Sequence, residues 1–280
     1  MMKTFYKYQG AGNDFLIADN RDGSIVLSAA QIASLCDRRY GVGADGLMLL
    51  ESDSRHDFRM VYYNSDGSGG MMCGNGGRCI VAFAADRGYE SFMFEAADGI
   101  HEAEIMAWEG GVRIVRLKMK DVDECRHYES LTGPACSSDG YFLDTGTRHY
   151  VRFVSGLGSY DVVSEGRDIR YNAEELQPVG VNVNFVEPEG SRLNVRTYEK
   201  GVEDETYACG TGIVASCIAA HAAGVKPSSV SADGRLHYDV KAKHDSLSVD
   251  FIPGDGKCLA EDVWLTGPVV FVAEIHLNAF

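Results

Sequence analysis

Apolar and polar residues alternate along most of this chain in short runs closed by glycine. That two-residue period predicts strands over Thr4–Tyr8, Phe15–Ala18, Leu47–Leu50, Phe58–Tyr63, Ser91–Glu95, Ile100–Ala107 and Val112–Met119. Helical spacing appears twice among them. Ser28 reads as the N-cap of a helix over Ala29–Arg38 with Ile32, Leu35 and Cys36 on its apolar side. A second helix opens at Cys73–Gly77, runs to about Asp86 and is stopped by Gly88.

The polar stretch Lys120–Ser138, with Asp121, Asp123, Glu124 and Pro134, reads as a loop whose start is a domain boundary. The same grammar then returns. Strands are predicted over Tyr141–Asp144 and Tyr150–Val154 around the turn Thr145–His149, then within Gly180–Val186 and over Leu193–Tyr198. Asp161–Ser164 is ambiguous and Ala173–Leu176 reads as a single helical turn. After the loop Glu199–Tyr207, a helix begins near Cys209 and ends before Gly224. Further strands follow over Leu236–Val240, Ser246–Phe251 and Lys257–Leu265, and Gly267-Pro268 is expected to break the pattern before a last strand, Val269–Leu277. A cysteine-bearing loop that feeds a helix thus occurs twice, nearly half the chain length apart. This predicts two similar α+β domains facing each other across a cleft.

Composition narrows the function. The 280 residues, 45% of them hydrophobic, suffice for one large or two ordinary domains with a real core. A formal charge of −15 argues against nonspecific binding to nucleic acid or to an anionic membrane, while leaving room for a locally basic pocket. No window approaches 18 consecutive apolar residues, and the opening M-M-K-T-F-Y-K-Y lacks a signal-peptide pattern, so a cytoplasmic protein is expected. The eight cysteines are then expected as reduced thiols, since a chain with a sizeable core needs no staples. No zinc-knuckle spacing, H-E-x-x-H or Walker loop occurs, and the glycine turns do not form a G-x-G-x-x-G fingerprint leading from a strand into a helix, so neither a metal nor a nucleotide is indicated.

The chemistry concentrates in C-G-N-G-G-R-C at Cys73–Cys79 and A-C-G-T-G at Ala208–Gly212. A cysteine at a helix N-terminus sits where unpaired amides and the helix dipole favour a thiolate. Gly74, Gly76 and Gly77 leave the backbone uncovered after Cys73, and Gly210 and Gly212 do so around Cys209, so each loop can also cradle a carboxylate. Two such cysteines flanking the α-carbon of a small carboxylic acid could invert it, one thiolate removing the proton and the opposite thiol replacing it. Either cysteine alone would read as a buried turn residue; the matching pair carries the argument. Cys36, Cys79 and Cys217 lie in apolar surroundings and are expected in the core, while Cys125, Cys136 and Cys258 carry no local signal.

Several stretches together resemble the diaminopimelate epimerase family, in the family's order and over nearly the whole chain. They are G-A-G-N-D-F (10–15), R-Y-G-V-G-A-D-G-L (39–47), Y-N-S-D-G (63–67), C-G-N-G-G-R-C (73–79), G-V-N-V-N-F-V (180–186), Y-E-K-G-V-E-D-E-T-Y-A-C-G-T-G (198–212) and W-L-T-G-P (264–268). The resemblance implies an α/β (α+β-like) fold of two pseudo-symmetric domains, each of mixed, largely antiparallel strands curled around a helix, with the active site in the cleft. The domains would be 1–119, completed by a C-terminal strand 266–280, and 120–265. It implies interconversion of LL- and meso-2,6-diaminoheptanedioate in lysine and cell-wall precursor synthesis, without pyridoxal phosphate or metal, and it admits a homodimer. Cys73 and Cys209 match the two bases, and Gly74-Asn75 and Gly210-Thr211 match the carboxylate-cradling backbone. Asn13, Asn64 and Asn182 match substrate contacts. His149 and Glu199 match a polar pair beside the reacting centre, and both stand where an exposed role is expected, after a turn and after a strand.

Three departures bear on the substrate. Lys200 stands where the family commonly has an arginine for the distal carboxylate, keeping the charge but losing the two-pronged fork. Thr147-Arg148 replaces the common Asn-Pro before the histidine; Arg148 is a candidate to supply the lost guanidinium, or it simply faces solvent. Gly46 stands where a glutamine is often found. These changes keep two alternatives in view. One is a racemase or epimerase of the same family acting on another amino acid. The other is an amino-acid-binding protein without catalysis, which would bind ligand but exchange no α-hydrogen with solvent.

Overall fold

The computed structural model describes residues 2–70, 72–133, 139–254 and 259–278. They form two compact units, one of Met1–Lys118 with Gly267–Phe280 and one of Met119–Thr266. Cys136, Cys258 and Pro134 lie outside the described residues, as do residues 279–280 of the C-terminal segment 266–280.

In the first unit the chain runs β1 (Met2–Gly10), β2 (Asn13–Asp19), α1 (Ala29–Cys36), β3 (Gly46–Glu51), β4 (Phe58–Asn64), α2 (Gly74–Asp86), β5 (Phe92–Ala96), β6 (Gly99–Glu109) and β7 (Val112–Lys118). The pairings are β1 with β2 antiparallel, β2 with β3 parallel, β3 with β4 antiparallel, β4 with β5 parallel, then β5 with β6 and β6 with β7 antiparallel. The end of the chain closes the circuit. β17 (Ala260–Asn278) pairs with β7 over Gly267–Val270 and with β1 over Val270–Asn278. Among the described residues, every strand of this unit has a strand neighbour on both sides.

The second unit contains β8 (Cys125–Tyr128), β9 (Gly140–Asp144), β10 (Arg148–Phe153), α3 (Val162–Asn172), β11 (Asn182–Glu189), β12 (Arg192–Glu199), β13 (Asp204–Thr206), α4 (Gly210–Ala222), β14 (Ser229–Val230), β15 (Leu236–Lys241), β16 (Ser246–Pro253) and the start of β17. Its circuit repeats the first in both order and direction. β9 pairs with β10 antiparallel, β10 with β11 parallel, β11 with β12 antiparallel, β12 with β15 parallel, and β15 with β16 and β16 with β17 antiparallel. The ring returns through the Val122–Ala260 bridge and the pairing of β8 with β9. The pseudo-symmetry expected from the sequence is thus one of strand pairing, although few residues are shared between the halves.

Each ring encloses its helix. Cys79–Ala84 of α2 are fully buried, and so are Val214–Ala220 of α4. A helix covered on every side has no polar face, which is why both helices read as nearly continuous apolar runs of small residues. Cys79 and Cys217 lie in these interiors, and Cys36 is buried in a separate cluster where α1 packs on Leu47 and Leu49 of β3; burial pushes the Cys79 thiol up, beyond the range in which it would ionise. On α1, Ser28 and Gln31 form a reciprocal cap, with Gln31 N donating to Ser28 Oγ at 3.3 Å and Ser28 N to Gln31 Oε1 at 2.9 Å.

Four expectations need correction. Gly267-Pro268 does not break the last strand. β17 runs through it, and the pair marks where the strand changes neighbours, from β16 to β7. Proline has no N–H to give a ladder and is tolerated at such a change. The ambiguous Asp161–Ser164 opens α3, capped by Asp161, which accepts from Ser164 N at 3.1 Å; Gly166 in its middle hid the pattern. The short strands β8, β13 and β14 fall in stretches read as loops, because pieces of two to four residues carry no period. Cys125 is disulfide-bonded, against the expectation of thiols throughout.

Gly166 faces Tyr198 on β12, and a Cβ there would lie 2.4 Å from Tyr198 Cβ. Alanine in a helix is ordinarily about 1 kcal/mol better than glycine, but forcing an atom into packed backbone costs about 1–3 kcal/mol. Gly166→Ala is therefore expected to destabilise, by up to about 2 kcal/mol net, seen as a lower midpoint in urea unfolding; a raised midpoint would contradict this packing.

Candidate functional site

In the first unit, Cys73 is the N-cap of α2. Gly76 N donates to its Sγ at 3.2 Å and Gly77 N to its carbonyl at 2.8 Å. Sulfur as the capping acceptor places the Cys73 side chain over the first turn, at the positive end of the helix. A Cβ on Gly76 would stand 3.4 Å from Cys73 Sγ, 3.4 Å from Met48 Sδ and 3.6 Å from the Phe15 ring. Met48 and Phe15 therefore pack beside Gly76 in this turn.

Behind the turn runs a chain of polar side chains, of which sequence reasoning named Asn75 and Asn13 but missed Arg78, Asp45, Arg38, Asp14 and Lys7. Arg78 is fully buried and donates to Asn75 Oδ1 at 2.8 Å and to the Gly74 carbonyl at 3.2 Å. Asn75 donates to Asn13 Oδ1 at 2.6 Å, and Asn13 donates to Asp45 Oδ2 at 2.9 Å. Arg38 then joins Asp45 and Asp14, each at 2.6 Å, and Lys7 meets Asp14 at 2.8 Å. Burial works to raise the Asp14 pKa, but the Arg38 and Lys7 bonds outweigh it and hold the carboxyl below its ordinary range. Both ends of the Asn13 amide thus serve to join the Asp45 loop to the helix start. The one available signal was the placing of Asp14 and Asp45 beside glycine turns. Asn64 ends β4, holding Ser68 Oγ at 3.0 Å and half-exposed near the Cys73 loop in sequence. At Gly46, a Cβ would meet the Tyr62 ring at 2.7 Å, so the space of a longer side chain is already filled by Tyr62.

In the second unit, Cys209 is the N-cap of α4. Its Sγ lies 3.5 Å from the Thr211 hydroxyl. Thr211 Oγ1 is 3.1 Å from Thr147 Oγ1, and both hydroxyls are 2.9 Å from His149 Nε2. His149 is completely buried, contrary to its expected exposure: β10 begins at Arg148, so the histidine points inward from the strand and not outward from the turn. Burial lowers its pKa from 6.5 to about 3, so the ring is neutral at ordinary pH. Asn182 accepts from the Lys200 amide at 2.8 Å, which ties β11 to the loop that follows Glu199. That loop is pinned by Glu203, which binds Arg170 and the Tyr198 hydroxyl at 2.9 Å each. Lys200 is exposed and Glu199 half-buried.

Arg148 goes elsewhere. Its guanidinium stacks over Phe142 at 4.9 Å. Strand alternation puts it on the face opposite His149, with Tyr150 and Phe142. The position gives no support to a role at a distal carboxylate. Thus Cys209, Thr211, Thr147 and His149 come together in one unit, and Cys73, Asn75 and Asn13 in the other. Among the described residues, Asp53, His56 and Glu95 are the group whose ligand atoms, within 4.8 Å of one another, could share a metal ion. Asp53 is already bonded to His56 Nδ1, while Glu95 meets Arg55.

The family model for diaminopimelate epimerase matches residues 5–120 and 141–251. A diaminopimelate epimerase of Flavobacterium psychrophilum is 41% identical over 273 residues, covering 96% of this chain and 98% of that one. One from Chlorobaculum tepidum is 42% identical over 264 residues, covering 92% and 95%. Among solved structures, a phenazine biosynthesis protein of the PhzF family from Bacillus anthracis superposes with a TM-score of 0.72 at 14% identity over all of both chains. A hydroxyproline epimerase from Agrobacterium vitis gives 0.66 at 18% identity, covering 99% of this chain and 92% of that one. At such identities the structures show a common fold. No helix among the described residues is long and apolar enough to cross a membrane.

The buried His149 predicts an acid-dependent stability. Its folded pKa of about 3 lies below its ordinary value, so the unfolded chain binds the extra proton between those values and stability falls as pH drops from about 6.5 towards 3. The loss is expected on the order of 4 kcal/mol, and it should disappear from the pH dependence of urea unfolding in His149→Gln. An unchanged acid slope in that variant would refute the assignment.

Proposed function

The chain belongs to the diaminopimelate epimerase family, an isomerase family, and from that membership we propose that it inverts one α-carbon of 2,6-diaminoheptanedioate by two-base proton transfer between Cys73 and Cys209. The observation that carries the reading is the repeated one. Each unit presents a cysteine as the N-cap of a helix that its own ring of strands encloses. In this reading one sulfur takes the α-proton as a thiolate and the other returns a proton from the opposite face, without redox change. The first-turn amides, Gly74-Asn75 and Gly210-Thr211, have no intrahelical acceptors and would hold the α-carboxylate and stabilise the negative charge developing beside it. Asn64, Asn182, Glu199 and Lys200 would hold the amino groups and the distal carboxylate, and Asn13 would act by fixing Asn75. The reaction would draw on no cofactor and would serve lysine and cell-wall precursor synthesis.

The turns that follow the two sulfurs differ: Phe15 and Met48 pack beside Gly76 in the first, and the Thr211 hydroxyl lies 3.5 Å from Cys209 Sγ in the second. The two directions of transfer are therefore expected to differ in their pH profiles. Lys200 in place of a two-pronged cation is the feature that favours the second reading, a single-ended amino acid as substrate. Solvent-deuterium incorporation at the α-carbon tests both. LL-2,6-diaminoheptanedioate should exchange faster than any single-ended amino acid, and Cys73→Ser and Cys209→Ser should each lower turnover by at least about 100-fold. A single-ended amino acid exchanging faster would overturn the substrate, and wild-type rates in either serine variant would overturn the mechanism.

A further inference from the structure

Asn184 belongs to none of the loops considered so far. It lies on β11 two residues beyond Asn182, so both point to the same face of the strand, towards α4. It is completely buried. Its Nδ2 stands 3.0 Å from His149 Nδ1 and 3.4 Å from the Tyr150 carbonyl, and its Oδ1 accepts from Thr197 Oγ1 at 2.9 Å. A Cβ on Gly212 would come within 2.2 Å of Asn184 Oδ1, so glycine at this point of α4 is what lets the amide sit against the helix turn that follows Cys209.

The neighbours fix the orientation of the amide. A carbonyl can only accept, so the nitrogen must face Tyr150 O; the oxygen then takes the Thr197 hydroxyl. The nitrogen that faces Tyr150 O also faces His149 Nδ1, which must therefore be the bare, accepting nitrogen of the ring. A neutral imidazole with Nδ1 bare carries its proton on Nε2, and Nε2 can then only donate to the hydroxyls of Thr147 and Thr211.

We propose that Asn184 is a positioning residue for Cys209: it holds His149 in the tautomer protonated on Nε2, and so turns the Thr147 and Thr211 hydroxyls into a chain that ends by donating to Cys209 Sγ. The donors close in sequence. Nε2–H goes to Thr147 Oγ1, Thr147 O–H to Thr211 Oγ1, and Thr211 O–H to the sulfur. In the other tautomer a bare Nε2, 2.9 Å from both hydroxyls, would be a better acceptor than a sulfur at 3.5 Å and would draw Thr211 away from it. At Gly76, the third residue after Cys73 as Gly212 is after Cys209, the neighbours are instead Met48 and Phe15. The role of this chain in turnover rests on the reading of Cys209 as a base; the tautomer and its effect on the thiol do not.

Nitrogen-15 NMR of histidine-labelled protein, with His149 identified by its loss in His149→Gln, should show Nδ1 bare and Nε2 protonated. In Asn184→Ala both tautomers should be populated. Alkylation of Cys209 by iodoacetamide at pH 7, mapped by mass spectrometry, should slow about tenfold in Asn184→Ala and in Thr211→Val, because a hydrogen bond to a charged group is lost, and should stay near wild type in Thr211→Ser. A wild-type His149 protonated on Nδ1 would overturn the proposal, as would Cys209 alkylation that is unchanged in Thr211→Val. Should Asn184→Ala fail to fold by circular dichroism, the wild-type tautomer and the Thr211 pair still decide. Full turnover in Cys209→Ser would defeat the two-base reading alone and leave these two measurements standing.

Discussion

Everything that distinguishes this protein depends on a helix being closed in on all sides. A ring of strands around α2, and another around α4, leaves each helix to reach the surroundings only through its ends. The N-terminal turn is where backbone amides lack partners, so it is the polar part of an otherwise apolar element. Both candidate sulfurs cap such a turn. The ring also makes that end rigid, since Cys79–Ala84 and Val214–Ala220 cannot shift without opening a cavity.

Closure imposes a second requirement, that polar side chains trapped behind each turn satisfy one another. The two units meet it differently. The first uses a charged relay, Arg78 to Asn75 to Asn13 to Asp45 to Arg38, which ties the helix start to the loop preceding β3. The second uses neutral groups, Thr197, Asn184, His149 and two threonine hydroxyls, and burial keeps the histidine uncharged among them. Identical strand order therefore supports two unlike electrostatic settings for the same residue type.

Much of this was legible beforehand. The cysteines, the glycines after them and the apolar runs that follow are local signals, and they located both helices and both caps to within a residue or two. Alternation located most strands for the same reason. The strand-sized pieces β8, β13 and β14 were missed because two to four residues carry no period, and α3 was missed because Gly166 serves contact with Tyr198 and not helix propensity. Arg148 and His149 were misjudged together: a strand beginning one or two residues earlier than expected sends one outward onto Phe142 and the other into the interior.

The chain by itself determined its two cysteine-capped helices, its repeated order of elements and, through motifs spread over nearly its whole length, its family. Those depend on residue type, on short spacing and on order, which a linear sequence preserves. Only the folded structure decided that Asn75 turns its amide towards Asn13, that His149 is enclosed, and that Asn184 stands behind it. Each of those rests on which residue of a neighbouring strand or helix turn comes opposite, and strand register is settled by pairing across the sheet.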